Sequence, residues 1–262
     1  MVKTFNLEKK IILVTGGYGY LGKAITESLL YHGAKVYVLA RGQEKFNAAF
    51  INLDKKYSDS LSFEECDISD TPQLIASFKS IHDKEGRIDV LINNAFYSKG
   101  QSPETMTDEE WAYGLQGTLG TVFSSIREII PYFKTQGNGK IINVSSMYGV
   151  VAPQFDVYDG FPAFLNPPHY GAAKAGIIQL SKYYASYLGH LNINVNTVTP
   201  GPFPSEEVQK NVGFVQNLAN KTSLGRIGLP EDLAGAFVFL SSEASNFITG
   251  QNIIIDGGWI TK

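Results

Sequence analysis

Tyr170 and Lys174 stand four residues apart in Tyr170-Gly-Ala-Ala-Lys174, a spacing that puts two side chains on one face of a helix. A phenol, with an ordinary pKa of about 10, moves protons near neutral pH only beside a fixed positive charge, which the Lys174 ammonium is placed to supply. Ser146 precedes Tyr170 by twenty-four positions (170 − 146) and closes an apolar, strand-like run. Its hydroxyl can hold the oxygen on which such a proton arrives. The three side chains together suit proton transfer at the oxygen of a carbonyl or an alcohol. A Tyr-x-x-x-Lys by itself also describes many solvated helix faces, so the elements around it must decide.

Short β-rich apolar runs at residues 11–15, 35–40, 61–66, 90–92, 140–145, 193–198 and 252–255 alternate with amphipathic stretches. Because these runs lack clean alternation, both faces of their sheet should be covered. The intervening helices then serve as right-handed crossovers in a parallel, doubly wound α/β sheet. With 262 residues, 44% of them hydrophobic, one domain around one sheet is expected over residues 1–262. No repeat, low-complexity tract or Pro/Gly-rich linker marks a boundary. Two stretches break the rhythm, 153–168 and 200–222, and both follow strand C-terminal ends, where open α/β sheets bind ligands.

Directly after the first strand comes Thr15-Gly16-Gly17-Tyr18-Gly19-Tyr20-Leu21-Gly22, followed by a helix predicted to about His32. Glycines allow the tight turn and the close approach of backbone to a pyrophosphate, and the helix N-terminus meets its charge. The second strand ends in Ala40-Arg41. A carboxylate there would bind the ribose 2′-hydroxyl of NAD, whereas Ala40 spares a 2′-phosphate that repulsion and Arg41 offers it a guanidinium. NADP(H) is therefore favoured, with NAD(H) as the other possibility, and Lys23 can add positive charge. Asp67-Ile68 after the third strand could border the adenine, and Asn93-Asn94-Ala95 after the fourth lies beside the cofactor ribose.

Composition excludes several function classes. A net charge of −3 gives no reason to expect nucleic acid or an anionic membrane as partner. Cys66 is the one cysteine, which rules out an intramolecular disulfide or a cysteine-built zinc site. His32, His82, His169 and His190 have no ligand spacing, so no metal is expected, and His169 reads as a helix-start residue. The N-terminus lacks a signal-peptide pattern and no apolar run reaches membrane-spanning length. A soluble, cytoplasmic protein acting on a small molecule is the expectation.

In this order, the glycine loop, Asp67, Asn93-Asn94-Ala95, Asn143-Val144-Ser145-Ser146, Tyr170-x-x-x-Lys174, Pro200-Gly201 and Gly250-Gln251 to Asp256-Gly257-Gly258 resemble the short-chain dehydrogenase/reductase family. The resemblance covers nearly the whole chain. It implies a Rossmann-type seven-stranded parallel sheet in the order 3-2-1-4-5-6-7, a nicotinamide cofactor, and a homodimer or homotetramer assembled through the helices carrying 111–133 and 170–190. Tyr170 is implied as the general acid/base, Lys174 as the group that lowers its pKa and holds the nicotinamide ribose, and Ser146 as the group orienting substrate. Gly16, Gly17, Tyr18, Gly19, Tyr20, Leu21, Arg41, Asp67, Ile68, Asn94, Ala95, Pro200, Gly201 and Ser205 are the implied cofactor contacts, with Tyr170 and Lys174.

The chain also departs from that pattern. Its glycine spacing resembles the longer, nucleotide-sugar-modifying branch of the family, while its length and C-terminus match the short branch. Phe96 replaces the usual glycine and should narrow the site beside the nicotinamide. Thr118 stands where an asparagine carbonyl usually helps to hold a water on the proton path, which leaves the helix distortion at that point open. Ser205 replaces a common threonine but keeps a hydroxyl. The segment 153–168 contains most of an insertion before the tyrosine, and its Phe155, Asp156, Tyr158, Asp159, Phe161 and Phe164 could line a polar substrate pocket or pack against another subunit. Its surroundings look similar to reductases of bacterial surface-sugar biosynthesis. The reading is an NADP(H)-dependent oxidoreductase that interconverts a carbonyl and a secondary alcohol on a polar substrate, with a sugar-derived one as a candidate. A nucleotide-sugar epimerase or dehydratase and a non-catalytic NADP(H)-binding sensor are the alternatives.

Overall fold

Residues 5–262 are described by a computed structural model. Seven strands form one parallel sheet in the order β3-β2-β1-β4-β5-β6-β7. They are β1 (Ile11–Thr15), β2 (Lys35–Ala40), β3 (Leu61–Glu65), β4 (Val90–Asn93), β5 (Gly139–Val144), β6 (Ile193–Pro200) and β7 (Asn252–Ile255). The nine α-helices among the described residues are α1 (Tyr20–Tyr31), α2 (Gln43–Ala49), α3 (Thr71–Glu85), α4 (Asp108–Leu115), α5 (Thr121–Gln136), α6 (Pro168–Leu188), α7 (Glu206–Gln209), α8 (Val212–Lys221) and α9 (Pro230–Ser241).

Period-2 geometry sends successive strand residues to opposite faces, and here both faces are apolar. Leu13, Tyr37, Leu91, Ile141 and Val195 point to the side covered by α3, α5 and α6. Ile12, Val14, Val36, Val38, Ile92, Ile142 and Val198 point to the side covered by α1 and α9. That double burial explains the unalternating runs in the sequence. The registers Val14↔Val38 and Val14↔Ile92 place the C-terminal ends of β2 and β4 beside the end of β1, which opens the crevice at the reversal of strand order.

A third cluster lies beyond the strand ends. Met147, Tyr148, Val157, Tyr158, Phe214, Leu218 and Trp259 are all buried in it, joining the segment after β5, helix α8 and the C-terminus. Asp256 anchors the last of these by accepting hydrogen bonds from the amides of Gly258 and Ile260 at 2.8 and 2.9 Å. Its backbone also sits so close to Gly201 that a Cβ there would lie 2.4 Å from the Asp256 Cα. Asp70 caps α3 by accepting from the Gln73 amide, and a Thr107/Glu110 capping box starts α4.

Candidate active site

The glycine loop is built as a cradle. Gly16 has φ +64, a conformation that favours glycine, and a Cβ on Gly22 would stand 2.2 Å from the Gly16 carbonyl oxygen. Helix α1 starts next to it with Gly19 as N-cap and no side chain capping it, so its first amides face the crevice. Asn94 ties β4 to this loop, donating from Nδ2 to the carbonyls of Thr15 and Gly16 at 3.1 and 3.2 Å. Thr15 Oγ1 accepts from the amides of Asn94 and Ala95, both at 3.0 Å.

A cavity of about 500 Å³ runs from this cradle to Tyr170. Gly16, Tyr18, Gly19, Tyr20, Leu21, Arg41, Asp67, Ile68, Asn94, Ala95, Tyr170 and Ser205 all line it. Other expected contacts lie elsewhere. Gly17 faces Thr26 and Val38, where a Cβ would come within 2.8 Å of the Thr26 hydroxyl, so it serves the turn rather than the cavity wall. Pro200 ends β6, paired with Ile255, and Gly201 lines the neighbouring pocket. Lys174 is buried behind the wall, 3% exposed. At the far end Arg41 Nη1 lies 3.7 Å from Asp67 Oδ2. Burial pushes the Asp67 carboxyl up, but hydrogen bonds from Ser69 and the Arg41 charge outweigh it, leaving the group below its ordinary range. The cradle, the uncapped helix start and a lining that reaches from Arg41 to Tyr170 fit a dinucleotide.

Three contacts bring Ser146 and Tyr170 together across the intervening loop. Ser145 Oγ donates to the Lys174 carbonyl at 2.7 Å. Gly149 abuts the same turn of α6, where a Cβ would be 2.6 Å from the Lys174 carbonyl carbon. Asn93, Asn143 and Ser181 form a buried chain of hydrogen bonds at 2.8 and 2.9 Å that links β4, β5 and α6. Lys174 Nζ donates to the Val144 carbonyl at 2.8 Å and lies over the rings of Phe96 and Tyr170, 5.0 and 5.5 Å from their centroids. Burial pushes the Lys174 ammonium down to about 7. Burial also raises the Tyr170 phenol, and a hydrogen bond with Ser146 pulls it the other way with smaller effect. Desolvation dominates both groups.

Phe96 packs its ring against Tyr170 at 5.6 Å between centroids and lines the cavity, as its bulk suggested. The helix distortion left open by Thr118 is present. Residues Gln116–Gly120 form a π-helical turn in which the Thr121 amide donates to the Gln116 carbonyl. Thr118 itself is buried, with no partner for its hydroxyl among the described residues.

A second pocket of about 240 Å³ adjoins the first, and Tyr170 lines both. The segment 153–168 reaches it only in part. Tyr158 and Phe164 line it, whereas Asp156 pairs with Lys221 of α8 at 2.6 Å, Phe161 packs on Phe214, and Phe155 and Asp159 are exposed. The acidic residues thus stay outside the pocket, because the segment winds through short 3₁₀ turns that direct them at α8 and solvent. Sequence reasoning missed Asn166 and Tyr148, which also line it. Nor did it find Gln101, whose amide donates to the carbonyls of Ala163 and Leu165 at 2.7 and 3.0 Å, or Gln209, which donates to the Tyr20 hydroxyl at 2.8 Å. Such long-range ties leave no local pattern.

Residues 20–260 match the family profile described as enoyl-(acyl carrier protein) reductase. The chain belongs to the short-chain dehydrogenase/reductase family. It is 34% identical over 257 residues to the 3-oxoacyl-[acyl-carrier-protein] reductase FabG of Chlamydia muridarum, covering 96% of this chain and 98% of the relative. A short-chain dehydrogenase from Leptospira borgpetersenii with bound NAD+ is similar in structure, with TM-score 0.85 and 34% identity over 99% of this chain and 96% of that one. A gluconate 5-dehydrogenase from Burkholderia cenocepacia in complex with NADP and tartrate has TM-score 0.86 and 25% identity over 99% and 98% of the two chains. Membership makes the chain an oxidoreductase using a nicotinamide dinucleotide on a carbonyl or alcohol, while the relatives differ in substrate and cofactor form.

Proposed function

We propose that the protein is an NADP(H)-dependent carbonyl reductase in which Tyr170 donates the proton and Ser146 holds the substrate oxygen. The observation that carries this reading is the position of Tyr170 in the wall shared by the dinucleotide cavity and the smaller pocket, which Ser146 also lines. When bound, the dinucleotide supplies or accepts a hydride at its nicotinamide ring. A phenol held above its ordinary pKa by burial is protonated at neutral pH and suits the reductive direction, giving its proton to the alkoxide that develops on the substrate oxygen. Lys174, buried one helical turn away, then meets a forming phenolate. The negative charge restores the ammonium that burial disfavours, and the pair shares the cost of the step.

Substrate supply can differ within this chemistry. A sugar-derived ketone is supported by the hydroxyls and amide of Ser146, Tyr158 and Asn166 around the pocket, and a 3-oxoacyl thioester by the similarity to FabG. Both belong in the first substrate screen. Preference for NADP(H) rests on Arg41, largely exposed at the adenosine end and able to turn from Asp67 to a 2′-phosphate. Arg41→Ala should weaken NADPH by about tenfold to thirtyfold, about 1.4–2 kcal/mol for a charge-assisted contact in solvent, and leave NADH unchanged. Calorimetric titration of both cofactors checks this, and equal binding of NADPH and NADH to the wild type would contradict it.

Self-association follows the same reading. Trp111, Phe123 and Tyr183 are exposed along a groove of about 810 Å³ between α4, the π turn, α5 and α6, an apolar face suited to a second copy of the chain. No helix among the described residues is long and apolar enough to cross a membrane, and the cytoplasm remains the proposed location. Sedimentation of purified protein as a monomer would contradict the assembly.

A further inference from the structure

The smaller pocket has a chemical character that neither the family nor its relatives fix. No Asp, Glu, Lys, Arg or His of the described residues lines it. The closest ion pair from the segment 153–168, Asp156 with Lys221, satisfies itself on the outer face, and Lys174 lies behind Tyr170 with its ammonium on the Val144 carbonyl. What the pocket offers instead is aromatic surface and neutral hydroxyls. Phe164 and Phe214 stack at 4.6 Å and 30°, and Tyr158 stacks on Phe214 at 5.9 Å and 26°. The hydroxyls of Tyr148 and Tyr158 are 2.8 Å apart, and the Asn166 amide lines the same pocket. Burial raises both phenols, so they stay neutral donors and acceptors.

We propose that this pocket selects an uncharged carbonyl compound with a flat or apolar body, and that Tyr158 is its specificity residue, hydrogen-bonding a neutral polar substituent of the substrate. The proposal rests on the carbonyl-reductase reading and narrows it. A carboxylate or phosphate brought here sheds its hydration against rings and neutral hydroxyls with no cation to meet it, a loss that neutral hydrogen bonds return only in part. A flat neutral body instead gains apolar contact with the half-buried rings of Phe164 and Phe203 in the pocket wall, and its substituent completes a hydroxyl network already held in place. In the reaction the carbonyl carbon gains a hydride with its electron pair, the C=O π bond breaks toward oxygen, and that oxygen takes the Tyr170 proton. The dinucleotide is oxidised by two electrons, and no charge needs to form on the substrate body.

The test compares matched pairs at pH 7 with NADPH, for which we choose methyl 3-oxocyclohexanecarboxylate with its free acid and ethyl acetoacetate with acetoacetate. The expected result is a kcat/KM for each ester at least roughly a hundredfold above its acid, the order expected for an uncompensated charge in an apolar site. Acids turned over as well as their esters would overturn the charge proposal while leaving the carbonyl-reductase reading intact. Failure of every carbonyl, charged or neutral, to oxidise bound NADPH would overturn both. Tyr158→Phe should lower kcat/KM about tenfold for the cyclic keto ester, the size of one neutral hydrogen bond. The loss should exceed that for unsubstituted cyclohexanone, which has no substituent to bond, while NADPH affinity stays unchanged. Val208→Arg, placed in the half-buried pocket wall, should shift the acid-to-ester ratio at least tenfold toward the acid. No shift in a folded Val208→Arg protein would contradict a pocket governed by charge.

Discussion

Tyr170→Phe should lower turnover of any accepted ketone by at least about a hundredfold, the usual contribution of a positioned acid or base. The substitution removes one oxygen from a side chain packed between Phe96 and Lys174, so the ring contacts persist. NADPH affinity should hardly change, because cavity and cradle are untouched. Steady-state and single-turnover rates on the same substrate give the comparison. Near-normal turnover in the mutant, with chemistry limiting the rate, would remove Tyr170 from the mechanism and leave Ser146 and Lys174 without a proton donor to serve.

A second large effect concerns stability. The folded pKa of Lys174 is pushed down from 10.5 to about 7 by burial, so the native state loses stability relative to the unfolded chain, which keeps its proton up to about 10.5. For a lowered lysine the penalty is complete below the folded pKa, near 7, and fades as pH rises toward the unfolded value. Lys174→Met removes the charge and keeps most of the volume. Its stability relative to wild type should therefore be more favourable at pH 6 than at pH 9.5, by on the order of 3 kcal/mol. The unpaired Val144 carbonyl costs the mutant about 1–3 kcal/mol, but equally at both pH values, and cancels in the difference. Urea unfolding of both proteins at the two pH values measures it. A difference independent of pH would show that Lys174 is solvated as an ordinary ammonium in the native protein.

Strand positions were legible because parallel strands buried on both faces leave continuous apolar runs. β6 extends two residues beyond its expected end because Thr199 and Pro200 pair with Ile254 and Ile255, an interaction set by the partner strand. The glycine loop was readable because its turn admits no side chain at Gly22, and Ser146, Tyr170 and Lys174 stood out as the residue types that the proposed proton transfer requires. The contacts that bring them together were not. The Ser145 bond to the Lys174 carbonyl spans 29 positions, and Gly149 against α6 looks in sequence like any turn glycine.

The π turn at 116–120 was hard to read for another reason. Its distortion lies in backbone bonding, Thr121 amide to Gln116 carbonyl, and a side-chain change at Thr118 does not dictate it. The segment 153–168 misled through composition. Its aromatic and acidic residues together suggested a polar pocket, yet irregular 3₁₀ turns have no face period from which to tell that Asp156 turns to Lys221 while Tyr158 and Phe164 turn inward.

The central claim is a net two-electron exchange between nicotinamide and a carbonyl at Tyr170. Incubating the protein with NADPH and a panel of neutral ketones, and following reduced nicotinamide by absorbance alongside alcohol by chromatography, tests it most directly. The expected result is loss of one NADPH for each alcohol formed, abolished in Tyr170→Phe. Product formation with no net change in the cofactor, as in an epimerase or dehydratase, or tight NADPH binding with no turnover of any carbonyl, as in a sensor, would contradict it.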